Sequence, residues 1–89
     1  MAKKRERLAV IKDILISIRG TRNIKPTRLL YSSNLSPQMF KDYMDELISK
    51  GFIKMEYFES RKTFSLTNKG NDFLEQYKLI ENFVENFGL

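Results

Sequence analysis

The 89-residue sequence predicts an α+β fold that is mainly helical, and three observations lead to it. Apolar residues recur at helical spacing in three long segments. Two short segments between them alternate with a period of two, which is typical of strands. Glycine, proline and asparagine lie at the junctions, where helices and turns begin or end. The chain has the length of one domain with a thin core, to which a partner subunit would add.

Composition excludes several classes of function. The sequence contains no cysteine and no histidine, which removes disulfides, thiol nucleophiles, imidazole bases and the usual zinc ligands. We therefore expect no metal and no cofactor. No apolar run approaches the length of a membrane span, and Lys12 and Asp13 interrupt the segment that a signal peptide would need to be apolar. These features predict a cytoplasmic protein with no membrane partner.

The first helix is predicted from about Arg5 to Arg19, with Gly20 as its end. Residues 3–7 are expected to form a mobile basic arm ahead of it. A short extended piece around Ile24 follows. Pro26 suits the first turn of a short second helix, because the N–H that proline lacks would be unpaired there. The apolar residues at helical spacing in the first helix are Leu8, Ile11, Ile14, Leu15 and Ile18.

A tight turn and a third helix, residues 36–50, come next. Asn34 tolerates the left-handed conformation that such a turn requires, and Ser36 serves as the N-cap. Gly51 ends the helix. One side of the helix carries Met39, Phe40, Tyr43, Met44, Leu47 and Ile48. The opposite side carries Gln38, Lys41, Asp42, Asp45 and Ser49.

After Gly51 the period changes to two, which predicts a β-hairpin with a polar "ESRK" turn. Ile53, Met55 and Tyr57 form one alternating set. Thr67 or Asn68 can cap a last helix. The resulting order, with two helices around a tight turn followed by a hairpin, is the winged helix-turn-helix arrangement α-β-α-α-β-β with a C-terminal helix. We assign residues 1–67 to this domain with its basic arm, and residues 68–89 to a dimerisation helix.

The charge distribution indicates a polyanionic partner. Residues 1–30 carry a net charge of +7, whereas the remainder carries −2. In a winged helix the N-terminal turns of the third helix meet base edges, and the second helix and the wing (58–63) hold phosphates. We therefore expect double-stranded DNA as the partner. The predicted DNA-binding residues are Arg22, Lys25, Thr27, Arg28, Ser36, Gln38, Lys41, Arg61 and Lys62.

One alternative to DNA binding remains at this point. Asp42 and Asp45 on the outer face of the third helix would also suit a winged helix that binds another protein. Glu46 lies nearer the flank, where it can pair with Lys50 four residues on. An enzyme is not expected, because no Gly-rich phosphate loop, nucleophile elbow or paired base accompanies the carboxylates. No small-molecule ligand is expected either, and the aromatic residues recur at spacings typical of a core.

The last helix carries a long apolar stripe. We expect its first part to pack on the first helix and its later part on a second copy of the chain, giving a homodimer. A stripe lying wholly on its own domain is the alternative. The predicted dimerisation residues are Phe73, Tyr77, Ile80, Phe83, Val84 and Phe87.

Two runs of sequence also resemble a known family. The run "KPTRLLYSSNLSPQMFKDYMDELISKGFI", followed by "FSLTNKGNDFLEQY", is similar to archaeal winged-helix DNA-binding proteins of the ten-kilodalton chromatin-associated type. The resemblance covers about residues 8–80. It implies a nucleoid-associated regulator or DNA-organising factor that pairs through an antiparallel coiled coil. Carried over, Arg28, Ser36, Gln38 and Lys41 face DNA from the two helices, and Arg61 and Lys62 from the wing.

Overall fold

The computed structural model describes the backbone of residues 2–89 and the side chains of residues 6–89. The predicted order of elements is confirmed, with the short strand reduced to a single bridge between Ile24 and Phe64. The elements are α1 (Ala2–Gly20), α2 (Pro26–Ser33), α3 (Pro37–Ser49), β1 (Ile53–Phe58), β2 (Arg61–Leu66) and α4 (Asn68–Asn86).

The N-terminal segment differs from its prediction. Residues 3–7 were expected to be a mobile arm, but α1 already begins at Ala2 and includes them. The side chains of Lys3, Lys4 and Arg5 lie outside the described residues. Arg7, the last residue of the expected arm, forms an ion pair with Glu46 of α3.

The caps of the helix-turn-helix unit are as predicted. Asn34 adopts the left-handed conformation, with φ 58° and ψ 31°, at the end of α2. Ser36 caps α3 by accepting a hydrogen bond from the N–H of Met39 at 3.3 Å. Gly51 has φ +83°, the conformation that favours glycine after a helix. The turn is therefore fixed by local chemistry at both of its ends.

The hairpin is a two-stranded antiparallel sheet in which Phe58 is opposite Arg61. Glu59 and Ser60 form its two-residue turn, both with positive φ (52° and 64°), as a turn that follows the strand twist requires. Of the alternating set in β1, only Ile53 is buried. Met55 and Tyr57 are exposed, because the hairpin projects beyond the core and its outer half has no packing layer over it.

The core lies between α1 and the elements that surround it. Apolar residues from α1, α2, α3, both strands and α4 form one cluster, so the wing and the helix-turn-helix unit share one hydrophobic core. Its buried members are Ile11, Ile14, Leu15, Ile18, Ile24, Leu29, Met44, Leu47, Ile53, Phe64 and Leu74. The apolar side of α3 is only partly covered, since Met39 is 50% exposed and Ile48 37%.

A joint of three contacts connects the end of α3 to the start of α4. Thr67 caps α4 by accepting from the N–H of Gly70 at 3.1 Å, and its hydroxyl donates to the carbonyl of Gly51 at 2.5 Å. Lys69 donates to the carbonyl of Lys50 at 2.8 Å. A Cβ at Gly70 would collide with the carbonyl oxygen of Phe52. The start of α4 thus lies close against the backbone of Lys50, Gly51 and Phe52, which follow α3.

The molecule is elongated, measuring 48 × 26 × 21 Å, and α4 contributes to its length. Among the described residues, no helix combines the length and the apolar character that a membrane span would require.

Candidate nucleic-acid interface

All nine predicted DNA-binding residues are exposed, and they fall into three places. Arg22 and Lys25 lie in the loop before α2, while Thr27 and Arg28 lie in its first turn. The other five belong to the start of α3 (Ser36, Gln38, Lys41) and the start of β2 (Arg61, Lys62).

The structure brings three of these cations together. Arg22, Lys25 and Arg61 line one surface depression between the loop before α2 and the turn end of the wing, although Arg61 lies more than thirty residues further along the chain. Phe58 and Glu59 line the same depression. The bridge from Ile24 to Phe64 brings the loop and the wing together, since the N–H of Phe64 donates to the carbonyl of Ile24 at 3.1 Å. The result is a site with several positive charges and one exposed aromatic ring.

Arg28, Gln38, Lys41 and Lys62 do not line this depression. Ser36 borders a second shallow depression beside the helix-turn-helix turn, together with Tyr31, whose side chain is 78% exposed. Phe58 and Tyr31 are candidates that the sequence did not single out. The aromatic residues as a group had been assigned to the core, although the strand alternation put Phe58 in one set with the polar Lys54 and Glu56.

Each polar side chain at the start of α3 is paired with an acid one turn along. Gln38 donates to Oδ1 of Asp42 at 3.0 Å, and Nζ of Lys41 donates to Oδ2 of Asp45 at 2.7 Å. The hydrogen bond from Asp45, with the attraction of its charge, raises the pKa of Lys41 above its ordinary value. The pairs lie in open solvent, where such contacts are weak and easily exchanged for others. The acids therefore reduce the net positive charge at the start of α3, but they leave Gln38 and Lys41 able to change partners.

Glu46 has a different role from the other two acids. It accepts hydrogen bonds from Lys50, at 2.8 Å, and from Arg7 of α1. These two cations, Lys50 first, lower the pKa of the Glu46 carboxyl. The predicted pair with Lys50 is thus confirmed, whereas the bond to Arg7 connects distant parts of the chain. Because the side chain is 25% exposed and held at the α1–α3 contact, Glu46 contributes little to the open face of α3.

The apolar stripe of α4 divides into two parts. Phe73 stacks with Tyr77 and meets Phe52 edge-on, with 5.8 Å between ring centroids in each pair. Lys12 of α1 lies 5.4 Å from the Tyr77 ring and forms a 2.6 Å ion pair with Glu81. The first part thus packs on its own domain, as predicted.

The later part of the stripe does not pack in the same way. Ile80, Phe83 and Phe87 are 57%, 58% and 69% exposed, although Val84 is partly covered. The rings of Phe83 and Phe87 contact each other at an angle of 39°, with centroids 4.8 Å apart. The side chains of Ile80, Phe83 and Phe87 are therefore not packed on the chain's own domain in this structure.

Within the described part of the chain, no three carboxylates lie close enough together to hold a metal ion.

Comparison with known proteins found two archaeal relatives by sequence. The uncharacterised protein MJ0287 of the archaeon Methanocaldococcus jannaschii is 39% identical over 79 residues, which are 88% of this chain and 76% of that protein. The uncharacterised protein MJ0290 of the same organism is 29% identical over 81 residues, and the match spans 91% of this chain but only 36% of the relative.

Solved structures show the same fold at lower sequence identity. Sso10a-2, described as a DNA-binding protein from Sulfolobus solfataricus, has a TM-score of 0.73 at 21% identity, with 90% of this chain and 82% of that one covered. The oxidised form of MarR from E. coli has a TM-score of 0.70 at 22% identity, with 96% and 75% covered. SSV1 F-93 has a TM-score of 0.65 at 23% identity, with 90% and 91% covered.

A family model described as "Winged helix-turn-helix" matches residues 4–85, nearly the whole chain. Together with the archaeal relatives and the observed order of elements, this match shows that the protein belongs to the winged helix-turn-helix family.

Proposed function

We propose that this protein binds double-stranded DNA as a transcriptional regulator or DNA-organising factor. The observation that carries the proposal is the depression in which Arg22 and Lys25 meet Arg61 of the wing. Three cations on two separate segments can neutralise phosphates of one strand, and each neutralised phosphate releases counterions. The description of Sso10a-2 as a DNA-binding protein supports the same reading.

In the proposed complex α3 enters the major groove with its N-terminal turn. Gln38 can bond adenine and Lys41 can reach guanine, while Ser36 and Arg28 contact phosphates from the ends of α3 and α2. The wing, with Arg61 and Lys62, lies on phosphates of the flanking backbone. The exposure of all these side chains is compatible with this arrangement. The protein would act without catalysis and reside on the nucleoid in the cytoplasm.

We also propose that a second copy of the chain covers the later part of α4. Ile80, Phe83 and Phe87 present a continuous exposed apolar surface near the end of this long helix. Burial of such side chains is worth roughly 1.5–3 kcal/mol each, so a self-complementary pairing of two helices would be favourable. Residues 68–89 would then be the dimerisation element, and two DNA-binding surfaces would be joined.

The DNA proposal is tested by fluorescence anisotropy with a labelled 30-base-pair duplex of mixed sequence at several salt concentrations. Four to eight phosphate contacts predict a slope of log K against log salt of about −4 to −7. Arg22→Gln and Arg61→Gln should each reduce the slope by about 1, whereas Lys78→Gln, an equal charge change on α4, should not. Absence of binding at low salt would refute the proposal.

The second candidate is a winged helix that docks another protein. The observation in its favour is the acidic outer face of α3, where the Asp45 side chain is 63% exposed. The double variant Arg28→Glu with Lys41→Glu separates the two. It should abolish binding to the duplex if DNA is the partner, and leave a protein complex intact if it is not.

A further inference from the structure

An apolar ring lines the depression that Arg22, Lys25 and Arg61 border. Phe58 is the last residue of β1 and is 50% exposed, which leaves half of a large aromatic side chain in water. Arg22 and Lys25 line the depression beside it, and Arg61 is its cross-strand partner. A single exposed phenylalanine is ordinary on a protein surface, but this one lines a depression with three cations, so an anionic partner would cover it.

The strand geometry distinguishes Phe58 from its neighbour. Successive side chains in a strand point to opposite faces, so Phe58 shares a face with Arg61 and Thr63, whereas Tyr57 shares the other with Lys62. Tyr57 is 69% exposed but does not line the depression. Of the two aromatic residues at the end of the wing, Phe58 thus lines the depression with Arg22, Lys25 and Arg61, next to Glu59, and Tyr57 does not.

The turn presents Phe58 at the tip. With only Glu59 and Ser60 between the strands, Phe58 and Arg61 form the outermost pair of the hairpin. An apolar side chain at the end of a narrow, twisted ribbon can reach a depth that the loop before α2 cannot. Arg22 and Lys25 of that loop and Arg61 of β2 border the same depression as the Phe58 ring.

We propose that Phe58 is an apolar wedge that enters the minor groove and partly unstacks a base step, while Arg22, Lys25 and Arg61 hold the flanking phosphates. The inference rests on the proposed binding of double-stranded DNA, and it adds a deformation of the duplex to it. Apolar side chains inserted in this way kink DNA toward the major groove. Flexible pyrimidine–purine steps are the cheapest to open, so the wedge would favour them without any hydrogen bond to a base.

The test uses the full chain and a 30-base-pair duplex with a fluorescence donor and acceptor at its two ends. Bending brings the ends together and raises energy transfer, and permanganate reactivity of thymines reports unstacking at any position along the duplex. The variants are Phe58→Ala, Phe58→Leu as an apolar replacement, and Tyr57→Ala as the control on the opposite face. Both aromatic residues are exposed, so the alanine variants should keep the fold, which circular dichroism checks.

For the wild type we expect increased energy transfer and reactive thymines. Phe58→Ala should lose both signals and bind about tenfold more weakly with an unchanged salt slope, because the phosphate contacts remain. Phe58→Leu should retain most of the bend, and Tyr57→Ala should behave as the wild type.

Three results would overturn the wedge. They are wild-type binding without bending or unstacking, a Phe58→Ala variant that bends DNA normally, and equal losses in Tyr57→Ala and Phe58→Ala. In each case salt-dependent binding would persist and the proposed function would stand. If the wild-type chain fails to bind the duplex at low salt, the proposed function fails, and the wedge with it.

Discussion

Nζ of Lys41 donates a 2.7 Å hydrogen bond to Oδ2 of Asp45, so a cation proposed to read DNA is paired with an acid of its own helix. Gln38 and Asp42 repeat this relationship one turn earlier in register. Exposed pairs of this kind contribute little to stability. Their consequence lies in binding, because the acids lower the general attraction of α3 for phosphate and leave the side chains free to exchange partners.

Replacing Asp45 by asparagine should therefore strengthen binding to mixed-sequence DNA. The change removes a negative charge from the proposed DNA-binding face and releases Lys41, which together should raise the affinity roughly fivefold. Anisotropy titration at low salt measures it. Glu75→Gln is the matched control, since it makes the same charge change on α4 beside α1. Equal gains in the two variants would mean that net charge alone, and not the face of α3, determines affinity.

Glu46 should make folding stability depend on pH in the acid range. Lys50 and Arg7 hold the pKa of its carboxyl below the ordinary value of 4.5, so the stabilisation is fully present above pH 4.5 and is lost as pH falls through the lowered pKa. Glu46→Gln should lower Tm by about 2 to 5 °C at pH 7. Thermal melts from pH 7 to pH 3 should show the two proteins converging. A constant gap would contradict the assignment.

The two glycines that lie in helices should respond in opposite ways to alanine. Gly70→Ala places a methyl group against the carbonyl of Phe52 and should cost about 1–3 kcal/mol of unfolding free energy. Gly20→Ala meets nothing within 4 Å and should be neutral or stabilising by up to about 1 kcal/mol. Urea denaturation midpoints give both values. Similar stabilities for the two variants would contradict this prediction, because they would mean that the backbone at Phe52 shifts to make room for the methyl group at little cost.

Phe83→Glu should convert the proposed dimer to a monomer. The substitution puts a charge in the middle of the exposed apolar part of α4. The Phe83 side chain there is 58% exposed, and its ring contacts the ring of Phe87. Sedimentation velocity should give twice the mass of one chain for the wild type and the mass of one chain for the variant. Tyr57→Glu, an equally drastic change on the wing, should leave the dimer intact. A wild-type chain that sediments as a monomer at micromolar concentration would refute the proposed dimer.

The parts of the fold that sequence predicts are those decided by neighbouring residues. Asn34, Ser36 and Gly51 each act through their own backbone conformation or through a bond to a residue three positions away, so the turn and the ends of α3 could be located in advance. The period of two likewise placed the hairpin. It separated the faces of β1, but it carries no information on which face another layer covers. Met55 and Tyr57 are exposed for that reason.

The candidate site depends on longer connections. The nine basic and polar residues could be chosen one by one, yet the meeting of Arg22 and Lys25 with Arg61 follows from the bridge between Ile24 and Phe64. The bond of Arg7 to Glu46 spans 39 positions and converts an expected arm into part of a helix contact. Neither pairing leaves a periodic trace in the sequence, because each is set by how the elements dock on α1.

The joint formed by Thr67, Lys69 and Gly70 couples the orientation of α4 to that of α3, the proposed reading helix. Because the end of α3 and the start of α4 are fixed to each other, the crossing angle of two paired α4 helices would set how far apart two α3 helices stand. Operators read by such a dimer should carry half-sites at one preferred spacing, near a turn of DNA, about 34–36 Å, or a multiple of it. Inserting single base pairs between half-sites would then change affinity with the periodicity of the double helix.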